Sequence, residues 1–178
     1  MDLSTANPAN LVEQAKKLYE ESEYEQAAAL FEKIYQQYAA AGDELNSAEN
    51  RNNASVAWLK SDQAQKSLDA ALGTDLVFAK AGDQTHQAMA LGNQAAAFEA
   101  LGNLDKALDL YQQASDLLKG SGQQELRSYV LKSISSIKMR KGQVMESMAS
   151  MQAAIGDKKS PSLVERFLKK LLGLIFKN

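Results

Sequence analysis

Few residues of this chain could carry acid–base or metal chemistry, and their spacing argues against both. His86 is its one histidine and cysteine is absent, which removes thiolate metal sites and disulfides. His86 falls in the first turn of a helix starting after Asp83, and no catalytic motif ties a serine or carboxylate to it, so it reads as a solvated surface histidine. Glu20, Glu21, Glu23 and Glu25 crowd together without the ligand spacing of a calcium loop, and read as a solvated acidic turn. No glycine-rich phosphate loop follows a strand. Binding chemistry is clearer at Asn53 and Asn93, forty positions apart, because an amide side chain both donates to and accepts from the backbone of an extended peptide. The alternative is that these amides satisfy neighbouring helices or face water.

Two residues forty positions apart occupy equivalent places if the chain repeats. Ala41-Gly42-Asp43, Ala81-Gly82-Asp83 and Ser121-Gly122-Gln123 align under a forty-residue shift with no insertion, the signature of a solenoid. Gly82 to Gly120 shows the unit best. Asp83 can accept from the free amides of a helix start, and that helix runs to Leu101 before Gly102 ends it. A second helix places Leu104, Ala107, Leu108, Tyr111, Ala114, Leu117 and Leu118 on one stripe and stops at Gly120. Small residues recur at Ala15, Ser55, Ala95 and Ser135 in the first helices and at Ala27, Ser67, Ala107 and Ser147 in the second. Ala28, Leu68, Leu108 and Met148 form a mostly larger column beside them, and Phe31, Ala71, Tyr111 and Met151 one of variable bulk. Interdigitated helices need such alternation. The units are about 8–42, 43–82, 83–122 and 123–156, within a domain of 1–156. Residues 1–6 read as a frayed arm, with a helix start at Asn7-Pro8. Gly73-Thr74 should kink or fray the second helix of its unit.

The third unit resembles a tetratricopeptide repeat (TPR): Leu91, Ala95, Phe98, Gly102, Ala107, Tyr111 and Ala114 stand at that family's signature positions. The unit departs from the usual repeat of about 34 residues in being longer and in lacking a closing proline. Its Leu91-Gly92-Asn93 and Leu101-Gly102-Asn103 look like the forty-residue repeats of Leu-Gly-Asn-class adaptors. The resemblance implies an all-α, right-handed TPR-like solenoid of four helix-turn-helix repeats, to which the residues after 156 add a C-terminal amphipathic helix. It also implies a non-enzymatic, cofactor-free scaffold whose first helices line a concave groove for a partner peptide or helix of unknown identity. By register that groove takes Lys16, Tyr19 and Glu20, then Asn53, Val56, Leu59 and Lys60, then Met89, Asn93, Ala96 and Glu99, and last Ser136, Met139 and Arg140. A carboxylate clamp of the chaperone-tail kind is not implied, since only Asn53 matches its residue set while Val12, Lys16, Met89 and Asn93 hold the other positions.

Charge divides the chain. From Gly156 onward six basic and two acidic residues give +4, leaving −6 for the rest of a net −2. An acidic body repels phosphates, so nucleic acid is not an expected partner. With no secretory h-region after Met1 and no apolar run near the roughly twenty residues that span a bilayer, the expected location is cytoplasmic. Gly156-Asp157-Lys158-Lys159 reads as a turn and Ser160-Pro161 as the start of a last helix within 157–178. Leu163, Phe167, Leu171 and Phe176 give this helix an apolar face, and Arg166, Lys169, Lys170 and Lys177 a basic one. Three roles are open for residues 161–178: a cap on the fourth unit, self-association, or peripheral contact with an anionic membrane.

Overall fold

The structure, a computed structural model, describes residues 8–158 and 160–175. The arm expected over residues 1–6 lies outside them, as do Lys159, Phe176 and Lys177. The described residues form helices α1 (Pro8–Glu20), α2 (Tyr24–Ala40), α3 (Glu44–Lys60), α4 (Ala64–Ala71), α5 (Thr74–Lys80), α6 (Gln84–Ala100), α7 (Leu104–Leu117), α8 (Gln124–Arg140), α9 (Val144–Asp157) and α10 (Leu163–Ile175).

The geometric period is half the sequence period. A left-handed backbone residue falls every twenty positions, at Ser22, Gly42, Asp62, Gly82, Gly102, Gly122 and Gly142. At six of these the next amide reaches back across the turn at 2.9 Å: Glu23 to the Leu18 carbonyl, Asp43 to Tyr38, Gln63 to Trp58, Asp83 to Phe78, Asn103 to Phe98 and Gln143 to Lys138. This Schellman closure satisfies carbonyls that a helix end would otherwise leave free. Asp43, Asp83 and Asn103 then cap the next helix by accepting from the amides of Asn46, His86 and Lys106. Turns within and between hairpins are therefore largely alike, and successive helices pack in pairs, α1 on α2, α2 on α3, α3 on α4, α6 on α7, α7 on α8 and α8 on α9.

The small columns mark the closest approaches. Ala15, Ala27, Ala95 and Ala107 are fully buried. In the alternate units the same positions hold hydrogen-bonded serines: Ser55 and Ser67 hydroxyls lie 3.0 Å apart. Ser135 Oγ donates to the Ser147 carbonyl at 2.9 Å and Ser147 Oγ to the Ser135 carbonyl at 2.8 Å. Burying a hydroxyl is tolerated because another group of the same hairpin satisfies it. Larger side chains fill the space around these columns in one cluster centred on Phe31, Ile34 and Trp58 and another on Leu91, Tyr111 and Ile134. Burial in the latter pushes the Tyr111 hydroxyl well above the usual tyrosine range.

The interruption expected at Gly73-Thr74 is a clean break between α4 and α5, with Gly73 at φ +80°. It is a polar joint. Arg51 Nη2 donates to the freed carbonyls of Leu72 at 2.8 Å and Asp69 at 3.2 Å. The fully buried Thr74 hydroxyl donates to the Ala71 carbonyl at 2.7 Å and meets the Asn52 amide at 2.8 Å. Gln94 Nε2 of α6 reaches Asp75 Oδ1 at 2.6 Å, tying the joint to the next unit.

The C-terminal boundary differs from expectation. Gly156 and Asp157 form the last turn of α9, and the chain becomes extended only at Lys158. The last helix starts after Ser162, not at Ser160-Pro161, because Ser162 and Glu165 close a capping box: Glu165 Oε2 accepts from the Ser162 amide at 2.9 Å and Ser162 Oγ from the Glu165 amide at 3.3 Å. Glu165 also pairs with Lys132 of α8 at 2.9 Å and Lys158 at 3.1 Å. With the buried Leu172, these bonds hold α10 against α9 and α8.

Candidate interaction groove

Two adjoining depressions run over the first helices of the units and share Val56. The first, about 250 Å³, lies between the C-terminal ends of α1 and α3, walled by Lys16, Tyr19 and Glu20 facing Asn53 and Val56, with Phe31 behind. The second, about 390 Å³, continues across α3, α6 and α8. Val56, Leu59, Met89 and Ala96 supply apolar surface, with Lys60 and Asn93 as its polar groups. Leu126, Tyr129 and Val130 of α8 form the far wall.

Of the residues expected to line a groove, the structure brings Lys16, Tyr19, Glu20, Asn53 and Val56 together in the first depression. Leu59, Lys60, Met89, Asn93 and Ala96 meet around the second. Asn53 and Asn93 sit in adjoining depressions, not in one. Glu99, Ser136, Met139 and Arg140 line neither: Arg140 Nη1 donates to Glu99 Oε1 at 2.8 Å, joining α8 to α6, while Ser136 and Met139 are exposed.

The reason is a slant. Lining residues lie at the C-terminal end of α1, in the later half of α3, near the middle of α6 and in the first half of α8. From α1 to α8 the lining thus shifts toward the helix N-termini. Leu126, Tyr129 and Val130 of α8 line the second depression at positions that register did not assign. The signal for Tyr129 was present, since it stands forty residues after Met89.

His86 has a carboxylate partner that sequence did not assign. Its Nδ1 lies 2.7 Å from Asp83 Oδ2, and its ring stacks on Phe78 with centroids 5.3 Å apart. Asp83 Oδ1 accepts from the His86 amide at 3.0 Å. Those bonds, the backbone one foremost, hold the Asp83 carboxyl below its usual range. Both oxygens of Asp83 are thus engaged in a helix cap. Glu20, Glu21, Glu23 and Glu25 are all exposed. Among the described residues no three histidine, aspartate or glutamate side chains converge on a metal position. Nor is any described helix long and apolar enough to cross a membrane.

On α10 the apolar positions divide. Leu163, Val164 and Phe167 are 81%, 75% and 69% exposed, Leu171 is also exposed, and Leu172 is buried.

Comparison with solved structures gives the fold. The nearly identical TPR-like repeats named for a kinesin light chain of Podosopora anserina superpose with a TM-score of 0.75 at 14% identity, over 96% of this chain and 88% of that one. A single-substitution variant gives 0.75 at 15%, over 93% and 84%. BtubC (BKLC) from P. vanneervenii gives 0.74 at 14%, over 91% and 73%. The chain is thus a TPR-like helical-repeat protein. No curated protein matches its sequence. Residues 4–172 match the description of one family, SNAP: Soluble NSF attachment protein.

Proposed function

The chain belongs to the soluble NSF attachment protein family, and from that premise we propose that it is a non-enzymatic attachment scaffold holding a segment of a partner protein in the slanted groove. The observation that carries this reading is the continuity of the two depressions through Val56, with an amide group in each, at Asn53 and Asn93. Apolar walls at Val56, Met89 and Tyr129 supply contact area, and the two amides fix the direction of a bound backbone. A solenoid presents such a surface preformed, so binding costs it little ordering entropy. The proposal includes a right-handed array of four TPR-like repeats bounded near residues 42, 82 and 122, and a cytoplasmic location. The Leu-Gly-Asn tripeptides are a likeness of the repeat alone. The family's name supplies the partner of the proposal, NSF.

The test is the affinity of NSF for the full chain and for the Asn53→Ala/Asn93→Ala variant, measured by titration calorimetry. Helicity should stay intact while affinity falls about tenfold or more, as two hydrogen bonds of roughly 1 kcal/mol each are removed. Equal affinities would place the contact elsewhere on the molecule.

A further inference from the structure

We propose that the exposed face of α10 docks on an anionic membrane surface. The geometry divides the helix into three sectors at about 100° per residue. One sector faces the protein, with Leu172 buried and Glu165 bound to Lys132, Lys158 and the Ser162 amide. A second, carrying Leu163, Val164, Phe167 and Leu171, is exposed. The third carries Arg166, Lys169 and Lys170, also exposed and without a carboxylate partner among the described residues.

The decisive feature is the separation of charge. The one acidic residue of α10 is turned inward and neutralised by two lysines, so its outward charge is wholly basic. The rest of the molecule has the opposite sign: α10 contributes +2 to a chain whose net charge is −2. An apolar strip beside a basic strip matches a bilayer surface of anionic headgroups, where the side chains of Leu163 and Phe167 enter the acyl boundary while Arg166 and Lys170 stay among the phosphates. A second copy of α10 fits less well. It offers the basic strip no free carboxylate, since the helix's own is already engaged. The capping box and the three-way grip on Glu165 hold the helix outward on the solenoid in advance, so docking needs no refolding.

The experiment is flotation of the full chain with vesicles of phosphatidylcholine alone and with 30% phosphatidylserine, at near-physiological salt. Light scattering for mass and thermal unfolding accompany it. The chain should float with the anionic vesicles at least tenfold more than with the neutral ones. Arg166→Gln/Lys169→Gln/Lys170→Gln should weaken anionic binding roughly 100-fold, at about fivefold for each charge. Phe167→Ser/Leu171→Ser should abolish it with unfolding unchanged, since both side chains are exposed. The proposal is overturned if the wild-type chain floats with neither vesicle, or if the serine variant still binds. A serine variant that splits a dimer while the wild-type chain ignores vesicles identifies a second copy as the occupant and also overturns it.

Discussion

Removing one hydroxyl from the buried Ser55–Ser67 pair should cost more than removing both. In the second unit the two hydroxyls lie 3.0 Å apart, and among the described residues Ser67 Oγ has no other hydrogen-bond partner. Ser55→Ala leaves the Ser67 hydroxyl buried without its partner, a penalty of about 1–3 kcal/mol. Bonding back to its own helix places the result at the lower end, about 1–1.5 kcal/mol. For a chain of this length that lowers the melting temperature by roughly 3–5 °C. Adding Ser67→Ala removes the orphan and recreates the Ala–Ala contact that Ala15–Ala27 and Ala95–Ala107 bury completely, so the double variant should return to within about 0.5 kcal/mol of wild type. The equivalent change in the fourth unit should be milder. After Ser135→Ala, Ser147 Oγ still donates to the Ser135 backbone carbonyl at 2.8 Å. Urea unfolding of the four variants, followed by circular dichroism and tryptophan fluorescence, gives the coupling energy directly. Additive single and double costs, or equal costs for Ser55→Ala and Ser135→Ala, would refute the account of how the small columns tolerate serine.

Other perturbations probe other parts of the design. Asp62 is a side-chain-bearing residue at φ +60° in a turn where most equivalents are glycine, so Asp62→Gly should stabilise by about 0.5–1 kcal/mol, whereas Gly102→Ala should destabilise by about 1–2 kcal/mol in the same denaturation assay. Thr74→Val keeps the shape but strips the α4–α5 joint of its hydroxyl; a loss of about 1–3 kcal/mol is expected, with faster amide exchange confined first to α5. Lys132, then the Ser162 amide and Lys158, hold the Glu165 carboxyl at about 2, below its ordinary 4.5. Its contribution to docking α10 is therefore complete above about pH 4.5 and lost as pH falls through about 2. Limited proteolysis within residues 158–163 should track that window, and Glu165→Gln should show the loosened state at neutral pH.

The sequence-to-structure relation was clearest where one residue type had one physical reason. Glycine at 42, 82 and 102 marked helix ends because a left-handed turn favours it. Ser22 and Asp62 adopt the same turn without announcing it, which hid the twenty-residue period behind the forty-residue one. Local capping misled at the C-terminus: Pro161 suggested a helix start, yet the box between Ser162 and Glu165 satisfies two amides and sets the boundary. Register gives Lys16, Tyr19, Asn53, Val56, Met89 and Asn93 of the two depressions because a forty-residue repeat puts equivalent positions on the same helix face, whereas Glu99, ion-paired with Arg140, lines neither. In the fourth unit Tyr129 lines the second depression, while Met139 and Arg140 line neither. The joint at Asn52, Thr74 and Gln94 was illegible for a different reason: its partners lie 22 and 19 residues apart and only the folded array brings them together.

The most direct test of the groove is the affinity of a peptide, selected by display on the full chain, for wild type and for Met89→Glu/Tyr129→Glu. Both side chains are exposed, so the fold should survive and circular dichroism should be unchanged. Affinity should weaken at least tenfold, because two charges then face apolar contacts. Unchanged affinity for peptides selected on the intact chain would mean that the slanted groove is not the binding surface.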